Sequence, residues 1–146
     1  MKKTTGLLLV LGVLGAGLAT GSRAGAVKAK VCQCVEYTRS ATGIKIYGNG
    51  NDWDNNAKSY RYKLSSTPVT NGAINFEAKA YGAHSLYGHV GKVKSYKSSS
   101  NGKDWIITVR HANWPSNSMF TELGCSNVSE KTFTIRKGDS SVHYIY

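Results

Sequence analysis

Gly88-His89-Val90-Gly91-Lys92-Val93-Lys94-Ser95-Tyr96, the turn Ser98-Ser99-Ser100-Asn101-Gly102 and the return Trp105-Ile106-Ile107-Thr108-Val109-Arg110-His111-Ala112 read together as one β-hairpin. Both arms are rich in β-branched and aromatic residues, and the segment between them is polar and ends in glycine. Downstream, Lys131 to Lys137 alternates as Thr132, Phe133, Thr134 and Ile135, the period-2 pattern of a half-buried strand, and Val142 to Tyr146 adds a last one. Upstream, Ser65 to Gly72 carries Pro68 and Asn71-Gly72, turn chemistry that leads into a short strand at Ala73–Phe76.

Before Ser65 the pattern is helical. Cys34 to Ala41 is expected as a first helix closed by Gly43, although Thr and Val are indifferent helix formers. Tyr47 to Asn51 is a loop of Gly and Asn. Asp52 to Tyr60 is expected as a second helix. Trp53, Ala57 and Tyr60 share one face at i, i+4 and i+7, and Asn51 or Asp52 is placed to cap it. Helices first and an antiparallel sheet after them make an α+β domain.

The chain opens with Lys2 and Lys3, an apolar run from Gly6 to Leu18 and the small-residue exit Ala24-Gly25-Ala26. This is the plan of a cleavable secretory signal over residues 1–26, and the run is short for a membrane span of about 20 apolar residues. Residues 27–146 are then one domain's worth of chain, secreted or periplasmic, with no stable membrane insertion after cleavage. The formal charge is +11, and removing Lys2, Lys3 and Arg23 leaves +8. Such a field attracts polyanions. Outside the cytoplasm an anionic wall polymer or a membrane surface fits better than nucleic acid.

The three cysteines are Cys32, Cys34 and Cys125. An odd number in an oxidising compartment leaves a thiol over. A Cys32–Cys125 disulfide leaves Cys34 free. A Cys32–Cys34 bridge would be strained and would silence the thiol. A C-x-C spacing with no second ligand pair is poor for zinc, so no metal is expected.

A thiol attacks carbonyls as thiolate, and a helix N-terminus favours that form. Cys34 stands at such a position, and His89 opens a strand directly after a glycine. A hairpin partner can bring His111 or Asn113 beside that imidazole and fix its far nitrogen. The order is nucleophile, base, orienter. His84 and His143 compete as bases, in a polar loop and near the C-terminus. Each residue also has a plainer role, as structural thiol, strand-edge histidine or turn asparagine.

Gln33-Cys34-Val35-Glu36-Tyr37-Thr38-Arg39, Asn56-Ala57-Lys58-Ser59-Tyr60, Pro68-Val69-Thr70-Asn71-Gly72-Ala73-Ile74, Gly88-His89-Val90-Gly91-Lys92-Val93 and His111-Ala112-Asn113-Trp114 follow one another in an order and spacing that resembles the CHAP family of papain-like, NlpC-type cysteine peptidases. The resemblance implies a papain-like fold, with N-terminal helices packed on an antiparallel sheet. It implies Cys34 as nucleophile, His89 as base, and Asn113 with His111 as orienters. It marks Gln33, Trp53, Gly88 and Trp114 as substrate-binding positions. It implies hydrolysis of peptidoglycan amides, either N-acetylmuramoyl-L-alanine amidase or stem endopeptidase, without a cofactor. Peptidoglycan is the expected partner and nucleic acid is not. A catalytically silent wall-binding module and a toxin or lysin countered by an immunity protein or other inhibitor are the alternatives. Three departures stand out. His111 replaces the family's Glu, Lys92 replaces a small or apolar residue, and Tyr60 replaces Trp. The chain after Trp114 matches nothing in the family.

Overall fold

Gln33 and Gly43 bracket the first helix, α1 (Cys34–Thr42). The Gln33 N–H donates to the Glu36 carboxylate at 3.4 Å, and Gly43, at φ 77°, turns the chain out while its N–H donates to the Arg39 carbonyl. That is a left-handed glycine closing a helix. A 3₁₀ turn at Gly50–Asp52 leads directly into α2 (Trp53–Ser59). Six strands follow: β1 (Leu64–Ser65), β2 (Ala73–Phe76), β3 (His89–Ser98), β4 (Asp104–Ala112), β5 (Val128–Arg136) and β6 (Val142–Ile145). The computed structural model describes residues 33–114 and 128–146. Residues 1–26, expected as a secretory signal, and Cys32 and Cys125 lie outside the described residues, as does the disulfide expected between those cysteines.

The strands form one antiparallel sheet in the order β1-β6-β2-β3-β4-β5. The architecture is therefore α+β, with helices before the sheet as expected. β3 and β4 are the two arms of the expected hairpin, with Lys92 opposite Arg110 and a bulge between Val93 and Ser95. Among the described residues no helix is long and apolar enough to cross a membrane.

Alternation along the strands sends neighbours to opposite faces. Ile74, Phe76, Val93, Val109, Phe133 and Ile135 build one apolar cluster, joined by Trp114 at its margin. Ala73, Val90 and Ile145 face the other way and pack against Ile46, Trp53 and Ala57, with Cys34 and Val35 at the edge. Tyr37 and Ala112 form a third contact between α1 and the sheet.

Two expectations need correction. Tyr60 does not share the buried face of Trp53 and Ala57. The helix stops at Ser59, and Tyr60 swings out to 43% exposure as the residue that ends it. Asp52 does precede α2, but its carboxylate is spent on the Asn49 N–H at 3.1 Å, within the 3₁₀ turn. The short β1 was not foreseen, because two residues carry no pattern and exist as strand only by pairing with β6.

Candidate active site

Cys34 is the first residue of α1, where the backbone N–H groups have no intrahelical acceptor. Burial raises the thiol's pKa, and the nearby backbone N–H groups of Val90, Val35 and Cys34 oppose that rise without cancelling it. The Val90 amide is the informative one. It belongs to the residue after His89, so the start of β3 lies against the start of α1. Cys34 is half-buried and not in a disulfide.

His89 is fixed by its surroundings. It pairs with Phe76 at the end of β2 and is 4% exposed. Gly88, at φ 62°, delivers the chain into β3, and a Cβ there would strike the Phe76 carbonyl. A Cβ on Gly50 would fall 2.7 Å from the His89 backbone nitrogen. Two glycines thus let two backbone segments close on one histidine. Asn75, fully buried in β2, donates from Nδ2 to the Gly50 carbonyl and ties that turn to the sheet.

His111 lies on β4 beside His89, with ring centroids 5.4 Å apart at 82°. Trp114 stands edge-on to His89 at 4.4 Å and also contacts His111 at 5.5 Å. Burial holds the His89 pKa well below its ordinary value, and the charges of His111 and Lys131 add to this. Burial and Lys131 bring His111 down to about 4. His89 Nε2 and both nitrogens of His111 have no hydrogen-bond partner among the described residues. At neutral pH Cys34 is a thiol and the two imidazoles are uncharged, and no thiolate–imidazolium pair is formed: the rings of His89 and His111 lie with Phe76 and Trp114 on one face of the sheet, whereas Cys34 packs with Val90 on the other.

Asn113 follows β4 with φ 58°, a left-handed conformation that Asn tolerates better than most residues. It sits between His111 and Trp114 in the chain, at the site's margin. Gln33 is exposed at the mouth of the helix, and Gly88 is buried under His89. Trp53 is elsewhere. Its side chain is 0% exposed in the core between α2 and the sheet, so it supports the helix and has no face to offer a substrate.

Of the competing histidines, His84 spends Nδ1 on the Leu86 and Tyr87 N–H groups at 3.1 and 3.3 Å, holding the loop before Gly88. His143 lies 3.4 Å from Glu77 and 3.7 Å from Asp54. These three offer donor atoms within 4.8 Å of one another, a set able to hold a cation. Burial and the Asp54 charge raise the Glu77 pKa, and His143 opposes that rise.

Two residues at the site escaped sequence reading. Asn75 announced itself only as a polar residue inside an apolar strand. Lys131 was placed on a strand but not against the site. Its ammonium lies 5.0 Å from the Trp114 ring centre and 5.1 Å from that of Phe133, and its charge reaches both histidines.

The family model described as CHAP domain matches residues 24–113, more than half of the chain. An N-acetylmuramoyl-L-alanine amidase domain-containing protein of Staphylococcus aureus (strain NCTC 8325 / PS 47) is 37% identical over 54 residues, covering 37% of this chain and 9% of that protein. The crystal structure of an N-acetylmuramoyl-L-alanine amidase from Staphylococcus aureus superposes with a TM-score of 0.55 at 29% identity, over 78% of this chain and 30% of that one. The chain thus spans less than a third of either relative. By the extent of the family match and the order of its elements, the chain belongs to the CHAP domain family.

Proposed function

We propose that this chain hydrolyses amide bonds of peptidoglycan, with Cys34 as nucleophile and His89 as general base. The observation that carries the reading is the packing of Cys34, at the start of α1, with Val90, the residue that follows His89 at the start of β3. The amidase names of the relatives make the bond between muramic acid and L-alanine the first to test.

His89 takes the thiol proton as sulfur bonds to the carbonyl carbon. The resulting oxyanion meets backbone N–H groups of the open first turn of α1. The C–N bond then breaks, and His89 returns its proton to the leaving amine. Water, deprotonated by the same imidazole, attacks the thioester and releases the acid and the thiol. A neutral base suits this sequence, because a depressed imidazole pKa leaves His89 unprotonated through the neutral range. His111 and Trp114 pack edge-on against its ring, and Trp114 walls it from solvent.

The protein acts outside the cytoplasm as a single domain, residues 27–146, once residues 1–26 are removed. The basic start, short apolar run and Ala24-Gly25-Ala26 exit support this.

The test is digestion of purified sacculi followed by mass analysis of the soluble products. Glycan free of peptide identifies an amidase, and stem fragments identify an endopeptidase. Cys34→Ala and His89→Ala should release neither. Wild-type protein that binds sacculi but releases nothing, with a Cys34 thiol inert to alkylation, makes this a silent wall-binding module.

A further inference from the structure

On the α1 face of the sheet, away from the histidines, lies a hollow of ≈ 370 Å³ lined by Tyr37, Asn71, Lys92, Lys94, Arg110 and Glu130. Three cations meet one carboxylate there. That carboxylate is occupied, since Lys94 Nζ donates to both Glu130 oxygens at 2.8 Å. Lys92 and Arg110 stand directly opposite each other across β3 and β4, and Arg110 also faces Glu130, the carboxylate that Lys94 occupies, across β4 and β5. Like charges in facing positions repel and destabilise a strand pair. Neither makes an ion pair among the described residues. Tyr37, only 9% exposed, forms the α1 wall.

The position matters as much as the charge. Tyr37 is one helical turn beyond Cys34, about 4.5 Å along the axis. Lys92 is two residues beyond Val90 on the same face of β3, and Val90 packs with Cys34. An anion held between Lys92 and Arg110 would therefore belong to the molecule whose amide is presented to Cys34. We propose that this groove binds a carboxylate of the substrate's peptide stem, with Arg110 and Lys92 as its ligands. The inference rests on the peptidoglycan reading for the ligand's identity. A peptide stem carries carboxylates beside its amides, and a guanidinium grips a carboxylate with two parallel hydrogen bonds.

The test is calorimetric titration of full-length Cys34→Ala protein, which prevents turnover, with two synthetic stem peptides. One has free carboxylates and the other has them amidated. The free acid should bind about tenfold more tightly, a preference that shrinks with added salt. K92Q/R110Q should abolish the preference, and each single variant should reduce it, so the result survives if the double variant fails to fold. K97Q/K103Q removes the same charge from exposed positions outside the groove and should keep the preference. Equal binding of the two peptides, or a preference that persists in K92Q/R110Q, overturns the proposal. So does tight binding of poly(glycerol phosphate) that these substitutions remove while the stem peptides show no preference. Sacculus digestion by the wild type is read separately. Digestion without any carboxylate preference sinks the groove alone, and a preference without digestion sinks the hydrolase reading alone.

Discussion

Replacing His111 with Glu places a carboxylate against the ring that the mechanism needs as a base. Both nitrogens of His111 and Nε2 of His89 have no partner among the described residues, so a hydrogen bond from His89 to the introduced carboxylate would take up a group now unused. At the 5.4 Å separating the two rings, unit charges in a medium of effective dielectric about 20 attract by about 3 kcal/mol. That corresponds to about two pH units. The buried carboxylate is itself desolvated, so about one unit is the expected effect. The sign follows from the base's role. A carboxylate favours imidazolium, the His89 pKa rises, and higher pH is needed to free the base. The acidic limb of the pH–rate profile for muropeptide release should therefore move up by about one unit, with activity retained at the plateau. His111→Gln, the neutral control of similar size, should leave the limb near its wild-type position. A limb unmoved in His111→Glu, or moved down, would mean that His89 is not the group titrating in that limb.

Asn113→Ala is expected to cost more activity than His111→Ala, read as the rate of muropeptide release. Ala at φ 58° also costs about 1 kcal/mol, so Asn113→Gly, which relieves that strain, should recover stability in thermal melts without recovering rate. Gly88→Ala should be destabilising by several kcal/mol, because its Cβ would meet the Phe76 carbonyl and, at 2.8 Å, the Asn51 nitrogen. Denaturant unfolding measures this, and a variant of wild-type stability would contradict the packing described around His89. Stability should also fall on acidification. The folded pKa of His111 lies at about 4, below its ordinary 6.5, so the unfolded chain takes up the proton first and stability drains away as pH falls through that window. The contribution is about 3 kcal/mol, and unfolding curves of His111→Phe should show a shallower slope between those pH values.

The hairpin at β3 and β4 was legible because both arms combine β-branched residues with a polar turn ending in glycine, and α2 because Trp53 and Ala57 fall on one helical face. The order of strands in the sheet was not. β6 lies between β1 and β2 through pairings far apart in sequence, such as Ile74 with Tyr144, and no local pattern encodes them. The turn at Ala80–Gly82 contains Tyr81 at φ 52°, held by its hydroxyl on Asp139 at 2.6 Å, another contact that only the folded chain provides. Site residues divided the same way. Cys34 and His89 stand at element starts that the sequence marks, and the hairpin placed His111 on the strand beside His89. Trp53 was misread as a substrate contact because a tryptophan near a site looks the same in sequence whether it faces solvent or core. Asn75 and Lys131 act through tertiary neighbours, Gly50 and Trp114, that lie 25 and 17 positions away.

Covalent catalysis at Cys34 passes through an acyl-enzyme, and an acyl-enzyme can be weighed. Wild-type protein mixed with a muramoyl-peptide substrate, quenched in acid within the first turnover and digested, should yield the Cys34 peptide carrying the acyl fragment as a thioester. His89→Ala should accumulate none. Turnover with no adduct on Cys34, or an adduct on Cys32 instead, would mean that Cys34 is not the nucleophile.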